Sequence, residues 1–327
     1  MPDLSVIICT HNPKAAYLRR VLAALQAQTL PRERWELLLI DNASTEHLAD
    51  IWNLSWHPRA RHVREDEVGL TPARLRGIQE SAGELLVFVD DDNVLDKKYL
   101  EQATAIARDW PVLGVWGGQV EPEFETTPEA WTKRYWHLLA LKTVLQDRWA
   151  NFPATESFPV GAGMCVRKPI AREYQHQLSG NSQRLLLGRR GKALTSGEDM
   201  DIFLTACQAG FGTGVFAGLK ITHLIPAARL EENYLVRLVE GVAYSTRALD
   251  FLHPSDVIPA HAEQRLKRWL KHLRNQAGEL FLDARERRFH RAARRGRAMA
   301  EVDFARPPAA IRATTPVLAS PGKQEVC

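Results

Sequence analysis

The chain of 327 residues is long enough for about two domains, and its 45% hydrophobic and 25% charged fractions are those of an ordinary soluble globular protein. No apolar run reaches the about 18 residues of a transmembrane helix, and the N-terminus lacks the basic and apolar regions of a signal peptide. The four cysteines are widely spaced without a metal-binding pattern, and we expect Cys9, Cys165 and Cys207 to be buried thiols, which fits a reducing cytoplasm.

Short apolar runs alternate with helical patterns over the first 90 residues. Residues 4–10, 35–40 and 85–89 are continuous apolar runs typical of buried strands, and 62–64 belong to a further short strand. Apolar residues at helical spacing follow the first strand, and Pro72 lies in the first turn of another helix. This repetition predicts an α/β fold with a mostly parallel twisted sheet flanked by helices.

The pattern changes after about residue 110. Residues 112–120 predict a strand, and 131–149 predict an aromatic-rich helical segment. Glycines at 161 and 163 permit close approach of backbone or ligand. A helix over 202–209 and one or two strands over 211–223 complete this part of the chain.

Beyond about residue 230 the sequence is helical and basic. We expect a first domain over residues 1–228, a helical extension over 229–300 and a disordered tail over 301–327. An apolar stripe runs through 266–284, and 285–297 holds seven arginines against one glutamate.

Three roles are open for this basic extension. It could pack on the first domain, or its aromatic residues Trp269, Phe281 and Phe289 could contact an anionic membrane surface beside the arginines. Nucleic-acid binding is the least favoured, because no nucleic-acid module accompanies the arginines, and no nucleic-acid partner is expected.

Three consecutive aspartates, Asp90, Asp91 and Asp92, directly follow the predicted strand 85–89. In open α/β sheets, ligands bind beyond the carboxyl ends of the strands. Three carboxylates there repel one another unless a cation holds them, which favours Mg²⁺ or Mn²⁺ bridging substrate phosphates. The alternative is an acidic loop in which aspartate forms a turn or caps a helix.

Five motifs together resemble family 2 glycosyltransferases of the GT-A fold. They are residues 5–12, 41–44, 73–74, 90–92 and 197–199, in that order along the chain. The resemblance covers roughly residues 3–225 and implies a Rossmann-like GT-A catalytic domain over 1–228. It also implies inverting transfer from a nucleotide-diphosphate sugar, usually a UDP-sugar, to an acceptor hydroxyl.

The resemblance implies roles for the donor-binding residues. Thr10 and Asn12 would bind the base and ribose, Asp41 would accept a hydrogen bond from the uracil NH, and Arg74 would lie near the base or diphosphate. Turn formation at Thr10 and Asn12, capping through Asp41 and surface charge at Arg74 are the alternatives. Leu75 stands where an asparagine is frequent in the family, which leaves the details of the base and ribose contacts open.

The same resemblance assigns the aspartates to metal and donor. Asp90 would contact the ribose and the metal, Asp92 would ligate the metal, and His223 would complete its shell. Asp91 is grouped with the donor-binding residues, although an extended backbone would point its side chain away. A structural role is the alternative for His223.

Inversion requires a base on the sugar face opposite the leaving group. By resemblance, Asp199 is the base and Glu198 orients the acceptor, with Asp201 a less favoured substitute. The alternative is that these carboxylates complement the N-terminus of the following helix. No Q-x-x-R-W motif follows, which argues against a processive polysaccharide synthase.

The leading hypothesis is a metal-dependent inverting glycosyltransferase that adds one sugar to a glycan or lipid-linked acceptor. It would act in the cytoplasm or at the inner face of the membrane. A nucleotidyltransferase is less favoured, because residues 11–15 lack the glycine-rich loop that would hold a triphosphate. A non-catalytic sugar-nucleotide or membrane-binding module of the same fold is the other alternative.

Overall fold

A computed structural model describes residues 1–191, 193–254 and 282–304. This part of the chain forms a nine-stranded sheet with helices on both faces. The strands are β1 Leu4–Thr10, β2 Trp35–Asn42, β3 Ala60–Glu65, β4 Leu85–Asp90, β5 Asn93–Leu95, β6 Leu113–Phe124, β7 Arg148–Ala150, β8 Cys165–Arg167 and β9 Gly212–Ile225. The helices are α1 Ala15–Gln26, α2 Leu48–Ile51, α3 Leu70–Glu80, α4 Tyr99–Asp109, α5 Lys168–Gly180, α6 Glu198–Gln208, α7 Glu232–Leu252 and α8 Ala284–Phe304.

The sheet has a parallel half and a mixed half. Its order is β3-β2-β1-β4-β8-β6-β9-β5, with β7 paired to β9. Strands β3, β2, β1 and β4 are parallel, whereas β8 runs antiparallel to both of its neighbours. In the parallel half Thr10 pairs with Asp41 and Cys9 with Asp90, so the carboxyl ends of three strands lie side by side.

Both faces of β1, β2 and β4 are buried, which explains why these strands are mostly apolar, whereas the edge strand β3 is partly exposed. Along β1, Val6 and Ile8 contact one core cluster and Ile7 contacts the other. Helices α1 and α4 cover the first face, and α3, α5 and α6 cover the second. Packing on both faces fixes the position of the sheet, so side chains at its carboxyl edge are held in defined positions.

The segment 131–149 differs from the prediction of one helical stretch. It contains a 3-10 helix, Ala130–Leu138, and then the short strand β7. Its aromatic side chains follow tertiary contacts rather than a helical period, because Tyr135 stacks on Phe289 of α8 at 4.1 Å between ring centroids. Helix α6 also begins earlier than predicted, at Glu198, so the acidic pair lies in its first turn.

Helices α7 and α8 form a pair in which the arginines of α8 meet acidic residues of α7. Arg285 and Arg288 contact Glu232, and Arg295 contacts Glu240 at 2.6 Å. Phe289 is only 5% exposed, which favours packing among the three roles of the extension. The described helices include none that is long and apolar enough to cross a membrane.

Several expectations for the C-terminal region lie outside the described residues. These are most of the stripe over 266–284, the aromatic residues Trp269 and Phe281, and the predicted tail beyond residue 304. Within the described part, α8 continues to Phe304 and therefore runs past the expected boundary at residue 300.

The contact between α7 and α8 can be tested at Gly296. A Cβ there would lie 2.1 Å from the backbone oxygen of Glu240, whereas nothing lies within 4 Å of a Cβ at Gly180. We expect Gly296→Ala to lower the free energy of unfolding by about 1–3 kcal/mol in urea titration, because the helices must separate. Gly180→Ala is the matched control and should stay within about 0.5 kcal/mol. Equal stability of the two variants would contradict this packing.

Candidate active site

A cavity of about 310 Å³ lies at the carboxyl ends of β1 and β4, between α3 and α6. Side chains of both charges line it. Its carboxylates are Asp90, Asp91, Asp92, Glu198 and Asp199, and its arginines are Arg74, Arg189 and Arg229. The structure therefore brings together the aspartate triplet and the acidic pair, which are more than 100 residues apart in sequence.

The three aspartates have different partners. Asp91 accepts a hydrogen bond from the hydroxyl of Thr10, which lines the same cavity. Burial and the neighbouring charge of Asp92 raise the pKa of Asp91. Asp90 is partly exposed and lies 4.0 Å from Arg74.

Asp92 is buried beside an arginine and a histidine. Its Oδ2 lies 2.8 Å from a guanidinium nitrogen of Arg229 and 3.5 Å from Nε2 of His223. Burial opposes ionisation of Asp92, but the charge of Arg229, contact with His223 and the charge of Arg189 together lower its pKa. Arg229 also contacts Nε2 of His223 at 3.0 Å, so the three side chains form one cluster.

Two of the three predicted metal ligands lie together in this cluster. Within the described ranges, no three or more His, Cys, Asp or Glu side chains are arranged to hold a metal ion. Mg²⁺ is usually held by one or two carboxylates plus substrate phosphates rather than by protein ligands alone. Asp92 and His223, whose Nε2 lies 3.5 Å from the Asp92 carboxylate, fit that share. Asp90 lines the same cavity and lies 4.0 Å from Arg74, and its role as a metal ligand stays a prediction.

Arg74 and Glu198 form a buried pair at the base of the cavity. The guanidinium lies 3.4 Å from Oε1 of Glu198, whose other oxygen accepts a hydrogen bond from Thr71 at 3.0 Å. Burial disfavours the charge of Arg74, but Glu198 and Asp90 outweigh it and raise the pKa. Burial raises the pKa of Glu198, against the opposing charge of Arg74. Glu198 is 2% exposed, so its role is to hold Arg74 in place.

Asp199 follows Glu198 in the first turn of α6 and lines the cavity. Its Oδ2 accepts a hydrogen bond from the backbone NH of Gly161 at 3.1 Å, and its Oδ1 accepts one from Met200 at 2.9 Å. A Cβ at Gly161 would lie 3.2 Å from Arg74, so glycine keeps this approach close. Burial raises the pKa of Asp199 although the charge of Arg74 opposes the shift, which makes the carboxylate a stronger base.

Two predicted donor-binding residues lie outside the lining of this cavity. Asp41 is buried, and its carboxylate accepts hydrogen bonds from the backbone of Ser44 and Leu48 and pairs with Arg64 at 2.8 Å. Asn12 is exposed, and its side chain accepts a hydrogen bond from the backbone of Thr45 at 2.9 Å. Both residues join the loops after β1 and β2, and their roles in base binding stay predictions.

Sequence reasoning missed two arginines of the cavity. Arg189 lies in the loop before α6, and its backbone oxygen accepts a hydrogen bond from Leu70 of α3 at 2.9 Å. Arg229 lies in a short 3-10 helix directly after β9. The only local signal for Arg229 is its position six residues after His223, which identifies no role until the strands are paired.

Asp201 has a structural role on the opposite side of α6. It is fully buried, and its Oδ1 lies 2.7 Å from Arg184 and 2.6 Å from Nε2 of His253. Asp201 does not line the cavity, so the structure does not favour it as a substitute for Asp199.

These contacts predict effects of different size on stability for two aspartates of one helix. Asp201→Asn breaks a buried ion pair and should lower the free energy of unfolding by about 3–5 kcal/mol in urea titration. Asp199→Asn should change it by about 1 kcal/mol or less, because its carboxylate is already disfavoured by burial. Similar losses for both variants would contradict the division between a structural and a site carboxylate.

The overall fold is similar to that of TarS from Staphylococcus aureus. The crystal structure of TarS 1–349 superposes with a TM-score of 0.51 at 16% identity, covering 93% of this chain and 89% of that chain. The similarity confirms the predicted GT-A fold. Other crystal structures of the same protein are complexes with UDP and with UDP-GlcNAc.

Sequence comparison leads to the same family. An N-acetylglucosaminyltransferase from Azorhizobium caulinodans is 25% identical over 246 residues, covering 69% of this chain and 55% of that protein. Glycosyltransferase AglE from Haloferax volcanii is 31% identical over 124 residues, covering 37% of this chain and 40% of AglE. This chain thus spans about half or less of the relatives' lengths. Residues 5–174, just over half of the chain, match Glycosyl transferase family 2, and the protein is therefore a member of that family.

Proposed function

We propose that this protein is an inverting glycosyltransferase that moves a sugar from a UDP-sugar to a hydroxyl of a glycan or lipid-linked acceptor. The observation that carries the proposal is the single cavity that holds both the aspartate triplet and Asp199. Family membership and the named activities of the relatives support the same class of reaction. The choice of UDP rests on the S. aureus protein, whose structures include UDP and UDP-GlcNAc.

The arginines of the cavity suit a donor diphosphate. Arg229 and Arg189 come from separate loops, and both face the aspartate triplet. Guanidinium groups donate paired hydrogen bonds to phosphate oxygens, so they bind and orient the leaving group. Arg74 is buried and pairs with Glu198, so it contributes a positive charge at the base of the cavity.

Mg²⁺ or Mn²⁺, held by Asp92 and His223 together with donor phosphates, would stabilise the charge that grows on the leaving diphosphate. Arg229 lies 2.8 Å from Oδ2 of Asp92, so its guanidinium and a cation would compete for that oxygen. A guanidinium displaced from Asp92 would be able to bind phosphate oxygens of the donor.

Asp199 is the proposed base. It takes the proton of the acceptor hydroxyl at a carboxylate oxygen while the acceptor oxygen bonds to the anomeric carbon of the sugar. The bond from that carbon to the phosphate oxygen breaks, and its electron pair leaves with UDP. The backbone NH of Gly161 holds the carboxylate in position during this step. Attack from the face opposite the leaving group inverts the anomeric centre.

A non-catalytic module of the same fold is the competing function. Such a module has no need of a carboxylate with a raised pKa on the cavity wall, and Asp199 is one. The nucleotidyltransferase alternative loses support because no glycine-rich loop follows β1. Action in the cytoplasm, or at its membrane face, remains a prediction from the sequence.

Loss of the base should abolish turnover without affecting donor binding. We expect Asp199→Asn to reduce release of UDP from the UDP-sugar at least about 100-fold, because general-base catalysis is worth that much or more. Its UDP affinity should stay within about twofold in calorimetric titration. Asp109→Asn, on the exposed end of α4, is the control and should keep full turnover. Normal turnover in Asp199→Asn would refute the base assignment.

The cluster at Asp92 makes a second prediction. UDP should bind more tightly with Mn²⁺ than without it, and Asp92→Ala should lose this dependence, whereas the exposed Asp50→Ala should keep it. Arg229→Met should weaken UDP binding but strengthen binding of Mn²⁺ alone, because the competing cation at Asp92 is removed.

Calorimetry with UDP, GDP, CDP and dTDP, and paramagnetic resonance of Mn²⁺ without nucleotide, measure these effects separately. Preference for a nucleotide other than UDP would overturn the donor assignment alone. Metal-independent binding of every nucleotide in the wild type would overturn the role of Asp92 and His223.

A further inference from the structure

A second cavity, of about 710 Å³, shares a wall with the first. Helices α6 and α7 and the segment around residues 137–160 enclose it. Ala140, Arg189, Ser196 and Asp199 line both cavities, so the two meet at the proposed base. A ligand in the second cavity can therefore present a hydroxyl to the carboxylate that faces the donor.

The two cavities differ in chemical character. The first is lined by eight charged side chains, whereas Arg189, Asp199 and Asp250 are the charged residues that line the second in the described structure. Asp250 pairs with Arg247 at 3.3 Å, and the other two belong to the shared wall. Away from that wall the lining is mainly apolar, and its large members are Leu138, Phe158, Phe203, Leu204, Val242 and Leu249.

This lining is mostly aliphatic and is built on packed elements. Phe203 is 2% exposed and packs edge-to-face against Phe158 at 5.2 Å between ring centroids. The two rings therefore already make the aromatic contact that each favours. Val242 and Leu249 lie one above the other along α7, separated by about two turns. Apolar surface of this kind gains free energy by taking alkyl groups out of water.

An exposed apolar side chain lies next in sequence to the apolar wall of the cavity. Phe152 is 61% exposed and directly precedes the wall segment 153–155. Large exposed apolar side chains beside a cleft are typical of surfaces that meet lipid or another apolar partner. A sugar acceptor without an apolar part would leave both Phe152 and the aliphatic wall without a partner.

We propose that the second cavity binds the aliphatic chain of a lipid-linked acceptor, adjacent to the head group whose hydroxyl reaches Asp199. The inference rests on the proposed function and names its acceptor class. The head group occupies the shared wall, where Ser196 and Arg189 offer polar contacts, and the first part of the chain lies along α7. The volume falls within the range of sites for small organic ligands, which is enough for several methylene groups beside a sugar.

The test uses n-alkyl β-D-glucosides as probes, at concentrations below those at which they form micelles and in the presence of UDP. Methyl, butyl, hexyl and octyl glucosides share one head group, so only the chain varies. We expect affinity in saturation-transfer NMR to rise about three- to fourfold for each added methylene, as burial of alkyl surface requires. Affinity that does not depend on chain length would overturn the proposal.

Thr246 provides a blocking variant that spares the core. It is exposed on α7, lines the cavity and donates its hydroxyl hydrogen only to Val242 of its own helix, at 2.9 Å. Thr246→Trp should obstruct the cavity along α7 and weaken the chain-length dependence, whereas Thr246→Val should preserve it. Ser179→Trp, on the exposed surface of α5 outside the lining of either cavity, controls for a surface tryptophan. An unchanged chain-length dependence in Thr246→Trp would refute this location.

Two further measurements separate the inference from the proposed function. UDP affinity should be the same in all four proteins; if the wild type fails to bind UDP, the proposed function fails whatever the glucosides do. Phenyl glucoside has as many carbons beyond the sugar as hexyl glucoside and should bind more weakly. Tighter binding of the phenyl compound would assign an aromatic acceptor and overturn the aliphatic one.

Discussion

The buried pair between Arg74 and Glu198 is the contact on which the arrangement of the site depends. A buried charge without a partner costs several kcal/mol, so each of these side chains requires the other. Their contact holds the N-terminus of α6 against α3 and the end of β4. Asp199 is the next residue of α6, and its position on the cavity wall follows from that anchorage.

Charge compensation by arginine recurs around the site and in the C-terminal helices. Arg229 compensates the charge of Asp92 in the cavity, and Arg184 compensates that of Asp201 on the other side of α6. In the C-terminal pair, arginines of α8 meet Glu232 and Glu240 of α7. Some of the arginines that make this region basic are thus neutralised by ion pairs between the two helices. His253, at the end of α7, contacts Asp201 and so connects this pair of helices to α6.

Two cavities of contrasting chemistry meet at one carboxylate. The charged cavity suits a diphosphate, because arginines can accompany it, and the apolar cavity suits a chain that water disfavours. Asp199 lies between them, with a pKa raised by burial, which is the position that the proposed base requires. In the proposed function, the two cavities would hold two chemically different substrates.

The sequence by itself determined the parallel half of the sheet, the aspartate triplet and the acidic pair. Buried strands are continuous apolar runs, and these motifs are contiguous, so local pattern is enough to find them. Only the tertiary structure decided that Arg229 pairs with Asp92 and that the Asp41 carboxylate accepts a hydrogen bond from Ser44 in the loop after β2. It also decided that Asp201 faces away from the cavity and pairs with Arg184. Such contacts depend on how β8, β6 and β9 pair and on the rotation of α6, because side chains far apart in sequence meet only when the strands and helices have packed.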